Sequence, residues 1–354
     1  MNNKVVVAMS GGVDSSVAAA LLKQQGYEVT GMMLRLWSEA GTEDANRCCT
    51  PDSQALACRV AARLDIPFYV VDVKERFYTT VVQAFLNGYA QGVTPNPCVI
   101  CNRQIKWGFL LEHATALGAD FLATGHYAGK KTDEDGKWQL LRSADRAKDQ
   151  SYVLHVLTQE KLARALFPVG GYSKPDIRAI AAGLDLPTAT QADSQDLCFL
   201  AGQDYRAFLR RHDPGIGQPG DIINRAGDIL GAHQGLAYYT IGQRKGLGIS
   251  SPEPLYVLGK DVSTNRLIVG IEDELGSTVL TAGQVNWIAG EPPKGPLSIQ
   301  VKTRYTARET PAQVTPLEGV RAEVHFNHPQ RDITPGQAVV FYDGDVVLGG
   351  GAIL

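Results

Sequence analysis

The 354-residue chain carries only six cysteines, Cys48, Cys49, Cys58, Cys98, Cys101 and Cys198. They are too few and too unevenly spaced for the disulfide framework of a secreted scaffold, and they point to a reducing compartment with a few working thiols. No apolar run reaches the ~18 residues that a membrane-spanning helix needs. The opening MNNKVVVAMSGG has no basic segment followed by a long apolar stretch, so no secretory leader is expected. A cytoplasmic location without a membrane partner is therefore expected. Net charge is only −3, so the chain is not one that coats nucleic acid indiscriminately, and any RNA contact must come from local patches. There is no G-x-x-x-x-G-K-[ST] loop. With no second C-x-x-C and no H-x-x-x-H, a structural zinc site is disfavoured.

What is present fits a globular protein, with 44% hydrophobic and 20% charged residues. The length suggests two or three domains. Strand and helix signals alternate over the first part. Strands are expected at Lys4–Met9, Glu28–Leu36, Phe68–Asp72 and Asp120–Thr124, and helices at Asp14–Gln25, from Thr50-Pro51-Asp52 to about Asp65, Glu75–Gly88 and Asn102–Leu117. This alternation predicts an α/β fold with a parallel sheet covered on both faces. A hairpin is expected around Asp133–Gly136, then helices at Gln159–Leu166 and Lys174–Leu184. One more helix, Asp204–Arg211, precedes short strands broken by glycine, including Gly220–Ile223 and Gly227–Leu230. From about residue 276 the pattern is all strand and predicts a small closed β-barrel, with Gly290–Pro296 as a loop. The expected division is a catalytic domain over 1–203, a mixed central domain over 204–275 and a barrel over 276–354.

The strongest local signal is Ser10-Gly11-Gly12-Val13-Asp14-Ser15-Ser16, between a strand and a helix. Its glycines allow backbone N–H groups to approach an anion, its serine hydroxyls can donate further bonds, and the helix N-terminus adds partial positive charge. Asp14 is placed either to help hold Mg²⁺ or to cap the helix. The thiols give a second signal. Asn96-Pro97-Cys98-Val99-Ile100-Cys101-Asn102 sets a C-x-x-C on a stiff loop entering a helix. Ser194-Gln195-Asp196-Leu197-Cys198-Phe199 sets another thiol on a polar loop. A thiol near a helix N-terminus is more acidic and more nucleophilic, so two such loops can relay one sulfur atom. Cys58, in an alanine-rich helix, reads as a small buried residue. No function is favoured for Cys48 and Cys49.

The string at 10–16 resembles the SGGxDS loop of the N-type ATP pyrophosphatases, which implies ATP with Mg²⁺ and transfer of AMP to a substrate oxygen. Ala8, Met9, Ser10, Gly11, Gly12, Val13, Asp14, Ser15, Leu34 and Gly125 match nucleotide-contacting positions. The whole chain resembles the bacterial tRNA-specific 2-thiouridylases. The match also covers Asn96–Asn102, Ala123–Tyr127, Lys148–Tyr152, Ser194–Phe199, Tyr239–Gly248 and Arg304-Tyr305. That resemblance implies Cys101 as the nucleophile facing the base and Cys198 as the persulfide carrier, with a disulfide between them once sulfur is delivered. It also implies tRNA contact by Asn96, Pro97, Cys98, Lys148, Asp149, Gln150, Arg304 and Tyr305, an anticodon wobble uridine as target, and an upstream sulfur donor such as a cysteine desulfurase relay. Many relatives carry Asp where this chain has Cys98. Cys98, Cys101 and Cys198 could instead hold a [4Fe–4S] cluster.

Three smaller readings complete the sequence. The basic residues Arg103, Lys106, Lys130, Lys131, Arg142, Arg146 and Lys148, with Arg206, Arg210, Arg211, Arg244, Lys245, Lys302, Arg304 and Arg308, are individually surface charges and as a set a possible RNA groove. His126 reads equally as a ligand-orienting and as a structural residue. Ser173–Asp176, after Gly170-Gly171, looks like a phosphate loop but is better explained as a capping box.

Overall fold

The structure, a computed structural model, describes residues 3–42, 50–192, 197–331 and 333–354. Cys48 and Cys49, and Ser194, Gln195 and Asp196 of the second thiol motif, lie outside the described residues.

The first region contains β1 (Lys4–Ala8), α1 (Val13–Gln24), β2 (Glu28–Arg35), α2 (Pro51–Arg63) and β3 (Phe68–Asp72). α3 (Lys74–Phe77) leads through a π-wound turn, Tyr78–Val82, into α4 (Gln83–Ala90). α5 (Pro97–Cys101) leads through a longer π-wound stretch, Asn102–Leu110, into α6 (Leu111–Ala116). β4 (Phe121–Thr124), the hairpin β5 (Gly129–Thr132) and β6 (Trp138–Leu141), α7 (Ser151–Leu154), α8 (Gln159–Arg164), β7 (Ala165–Leu166) and α9 (Lys174–Gly183) follow. β3, β2, β1, β4 and β7 form one sheet in that order, every pairing parallel. Alternation along β1 sends Val5 and Val7 into one core cluster, with the α1 residues Val17 and Leu21, and Val6 into another, with Trp107 and Leu110. The chain order reverses between β1 and β4. The crevice beyond their carboxyl ends is where such sheets take ligands.

Local chemistry explains the ends. Thr50 caps α2, its Oγ1 accepting from Ser53 N at 3.0 Å, with Pro51 at the first helical position. α8 stops at Arg164, two residues before the expected end, because Ala165 and Leu166 pair with β4 instead.

The second region has α10 (Tyr205–His212), capped by Asp204, and β8 (Gly220–Ile223), β9 (Ile229–His233), β10 (Tyr256–Asp261) and β11 (Arg266–Gly270), in sheet order β10-β11-β8-β9. β10 and β11 were not read from the sequence. A bulge between Val257 and Gly259 breaks their alternation. The turn between them is built by Asp261 Oδ1, which accepts from the backbone of Ser263 and Thr264.

The third region holds β12 (Ser277–Trp287), β13 (Leu297–Lys302), β14 (Thr310–Leu317), β15 (Arg321–Gln330), β16 (Ala338–Asp343) and β17 (Val346–Ile353). The pairing β12–β17 closes the ring β12-β15-β14-β13-β16-β17. Two features extend the sequence reading. β17 runs on through Gly349, Gly350 and Gly351, where added Cβ atoms would meet Asn286, Val339 and Gly283 carbonyl oxygens at 2.3, 2.5 and 2.5 Å. The β5–β6 hairpin of the first region pairs with β17 through Leu141↔Val346 and Leu140↔Val347. Barrel residues Val340, Tyr342 and Val347 therefore share a core with Trp107 and Leu122.

Gly170 lets the segment before α9 cross the chain after β4, since a Cβ there would lie 1.7 Å from the Ala128 carbonyl oxygen. Gly170→Ala is expected to destabilise the protein by about 1–3 kcal/mol through forced backbone displacement. A urea titration checks this, and an unchanged midpoint would contradict it.

Candidate active site

The phosphate-loop string folds as expected into the β1–α1 turn. Gly11 takes φ +77°, and a Cβ there would stand 2.4 Å from the Ser53 carbonyl oxygen. Gly12 is the N-cap of α1 and brings no side-chain cap, so the first-turn amides remain for another acceptor. The serines divide differently from the expectation. Ser15 and Ser16 are buried, and their hydroxyls donate to the Gly12 carbonyl at 3.1 and 2.8 Å. Ser10 N donates to Ser15 Oγ at 3.2 Å. Two of the three hydroxyls thus hold the loop's shape, while Ser10 is exposed.

Asp14 does not cap α1. Its Oδ1 accepts from the Tyr127 hydroxyl at 2.8 Å and from Lys174 Nζ at 2.7 Å, and its Oδ2 accepts from Lys174 Nζ at 2.9 Å. Lys174 is buried in the first turn of α9. The Ser173–Asp176 capping box is present as read, but the same turn delivers a lysine to the phosphate loop. Sequence reasoning missed Lys174, and its only local signal was the Gly170-Gly171 pair that allows the approach. Gly125 makes the matching approach from β4. Its Cβ would lie 2.7 Å from Ser15 N, so only glycine lets β4 end against the first turn of α1.

His126 is a buried structural link. Lys106 Nζ, a pure donor, lies 3.2 Å from Nε2, so Nε2 accepts and Nδ1–H donates to Thr124 Oγ1 at 2.8 Å. Burial, with Lys106 adding to it, pushes the imidazole well below its usual range. The bond also ties the π-wound stretch after Cys101 to the nucleotide end of β4.

Asn96 caps α5, its Oδ1 accepting from Val99 N at 3.3 Å, and Pro97 occupies the first turn. Cys98 and Cys101 stand three residues apart on this helix and so share a side. Cys98 is exposed and Cys101 half-buried. Cys198 opens a 3₁₀ turn, Cys198–Leu200. Cys101, Cys198 and Leu34 all pack against one apolar cluster that includes Phe85, Ile105 and Phe199. Among the described residues, which include all three thiols of the proposed cluster, no group of three or more His, Cys, Asp or Glu side chains stands ready to hold a metal ion.

The remaining matched positions fall into two sets. Tyr305 is exposed on the barrel, and burial, then Asp149, push its phenol up, with the charges of Lys148 and Cys98 also acting on it. Lys148 and Cys98 thus lie within electrostatic reach of Tyr305. Asp149 and Gln150 are spent internally. Asp149 is buried and accepts from Ser143 N, Ser151 N and Ser151 Oγ. Gln150 Oε1 accepts from Tyr127 N at 3.0 Å. Several cations of the expected basic groove are likewise internal. Arg142 pairs with Glu309 at 2.5 Å and lies over the Tyr342 ring. Lys130 donates to the Leu162 and Ala163 carbonyls, and burial brings it down to about 8. Arg211 is exposed and pairs with Glu39 at the surface. Arg244, Lys245 and Arg308 are exposed. Cys58 corrects the sequence reading. α2 buries Ala57, Val60 and Ala61, which turns position 58 outward onto a surface cleft of about 450 Å³ shared with Arg35, Pro51 and Lys74.

Comparison with known proteins agrees with this layout. Residues 3–202 match the family model described as the tRNA methyl transferase HUP domain. Residues 206–271 match the tRNA methyl transferase PRC-barrel domain, and 277–353 the aminomethyltransferase β-barrel domain. The chain is thus a HUP-domain protein carrying a PRC barrel and a closed terminal β-barrel. It is 50% identical to the tRNA-specific 2-thiouridylase MnmA of Geotalea uraniireducens, over 99% of this chain and 96% of the relative. It is 48% identical to that of Roseiflexus castenholzii, over 99% of both. It is also 48% identical to tRNA-specific 2-thiouridylase MnmA 1 of Caldanaerobacter subterraneus subsp. tengcongensis, over 100% of this chain and 98% of the relative. The chain belongs to the tRNA-specific 2-thiouridylase family.

His155, like His126, is wholly buried, and burial pushes it down to about 4. Both rings are neutral in the fold but gain a proton in the unfolded chain below pH ~6.5. Stability is therefore full above that pH and falls as pH drops toward 4, by on the order of 3 kcal/mol for His155 alone. Urea titrations at pH 7.5 and pH 5 check the sign, and equal midpoints would refute it.

Proposed function

We propose that this chain is an ATP-dependent tRNA 2-thiouridylase acting on the wobble uridine. The uridine C2 oxygen attacks the α-phosphorus of ATP and pyrophosphate leaves. The C2–O bond then carries AMP, a far better leaving group than the carbonyl oxygen. The terminal sulfur of a Cys198 persulfide attacks C2 and AMP departs. Cys101 breaks the S–S bond, which leaves 2-thiouridine and a Cys101–Cys198 disulfide. The observation that carries this reading is that Leu34, at the end of the strand next to the phosphate-loop strand, and both thiols rest on one apolar cluster.

In this reading residues 1–203 perform both chemical steps, and residues 204–275 and 276–354 hold the RNA. Ala8 through Ser15, Leu34 and Gly125 take the nucleotide. A Mg²⁺ arriving with ATP would meet the Asp14 carboxylate, in keeping with an ion bound by one carboxylate plus substrate phosphates, and would neutralise phosphate charge. Asn96, Pro97 and Cys98 lie against the base. Lys148, Arg304 and Tyr305 contact the tRNA, while Asp149 and Gln150 support that contact from inside. The target base must leave its stack, which is cheapest in an unpaired loop such as the anticodon. The persulfide relay is the route taken in this reading, with the sulfur supplied by a desulfurase-type donor.

Incubation with ATP and tRNA is expected to release AMP and pyrophosphate; ADP and phosphate would contradict the proposal. Cys198→Ala should abolish sulfur transfer while tRNA-dependent pyrophosphate release persists within about twofold. Loss of both together would mean that Cys198 has another role. Binding of tRNA should weaken steeply between 50 and 200 mM salt, as counterion release requires, and a flat response would count against an RNA substrate.

A further inference from the structure

The segment leading to the C-x-x-C helix is gripped from two sides. On one side Pro95 packs on α4, where a Cβ at Gly88 would lie 2.9 Å from Pro95 Cγ. On the other a turn of the barrel, Thr334–Gln337, closes on it. Thr94 N donates to the Pro335 carbonyl at 2.8 Å. Gln337 Nε2 donates to the Thr94 carbonyl at 2.8 Å and, more weakly, to the Pro95 carbonyl at 3.4 Å. Gly336 has φ +89°, and a Cβ there would stand 2.9 Å from the Thr94 carbonyl oxygen. The turn is itself tied down. Thr334 is 1% exposed, and its Oγ1 accepts from Arg304 at 2.6 Å, while the same Arg304 nitrogen reaches the Ile241 carbonyl of the central region at 3.3 Å.

Three residues separate Thr94 from Cys98, and two of them, Pro95 and Pro97, are prolines whose φ is fixed. Asn96 then caps the helix directly. A displacement of Thr94 is therefore passed to the thiols with little room for absorption. We propose that the Thr334–Gln337 turn is a positioning element for sulfur transfer, with Gln337 and Thr334 setting the place of Cys98 and Cys101 relative to the activated base. Neither residue touches substrate. Each acts through the loop it holds, and misplacement of a reacting group by ~1 Å costs about 100-fold in rate. The elements that meet at the phosphate loop, α1, α9 and β4, lie elsewhere, so adenylation is not routed through this turn.

This inference rests on the thiolation reading, and one experiment separates the two. Gln337→Met keeps the length and removes the donor. Thr334→Val removes the acceptor for Arg304, whereas Thr334→Ser retains it. With saturating tRNA and ATP, the first two variants are expected to lose tenfold or more in 2-thiouridine formation, measured by nucleoside mass spectrometry with persulfide-loaded protein. At saturating tRNA their pyrophosphate release should stay within twofold, and Thr334→Ser should match the unaltered protein; KM for tRNA should stay within twofold in Gln337→Met, the variant that leaves Arg304 in place. Unchanged thiolation in Gln337→Met and Thr334→Val overturns the proposal. So does a parallel fall in pyrophosphate release, which would make the turn a support of the whole fold. Unaltered protein that releases no pyrophosphate with tRNA overturns the thiolation reading itself.

Discussion

The Asp14 carboxylate is the point on which the open end of the parallel sheet depends. It stands in the first turn of α1 and draws in Tyr127 from beyond β4 and Lys174 from the start of α9. An acidic group at a helix N-terminus already sits in a favourable field, and the buried lysine compensates its charge at this half-buried position. Three segments far apart in sequence are thereby fixed around one loop. Gly125 and Gly170 make this convergence sterically possible, because each occupies a place where a methyl group would collide with backbone. The first-turn amides of α1 are then left as the remaining partners for an anion.

The thiol side is organised by different physics. Cys101 and Cys198 pack on one cluster of aromatic and aliphatic side chains, in which Phe85 meets Phe199 and Phe208 edge-on. Such contacts favour tilted ring geometry and fix orientation without polar partners. The His126–Lys106 bond connects this side to the sheet. A neutral imidazole is needed there, because a protonated ring facing an ammonium would repel it.

Much of this was legible in the sequence, for identifiable reasons. Strands such as Phe68–Asp72 and caps such as Thr50-Pro51 announce themselves through short-range chemistry, and so does the glycine turn of the phosphate loop. Features set by distant packing were not legible. Three consecutive glycines argue locally against a strand, yet β17 runs on through Gly349, Gly350 and Gly351, where the strand passes between β12 and β16. Asp149 looked available to RNA but is consumed by its own turn. Cys58 looked buried by composition, whereas the helix phase turns it outward. Lys174 lay hidden within a capping box, since the Gly170-Gly171 pair signals a close approach but not which loop the side chain reaches once the chain has folded back.

The β6–β17 ladder bears on how the molecule comes into being. Leu140 and Leu141 belong to the region that leaves the ribosome first, but their partners Val346 and Val347 are made about 200 residues later. Domains ordinarily fold in turn as they emerge. Here the early hairpin must wait with an unpaired edge and uncovered leucines until the last strand arrives. The nascent chain is thus exposed to chaperones or to wrong pairing while those ~200 residues are made, and the core that Leu140 shares with Val347 closes only once β17 has emerged.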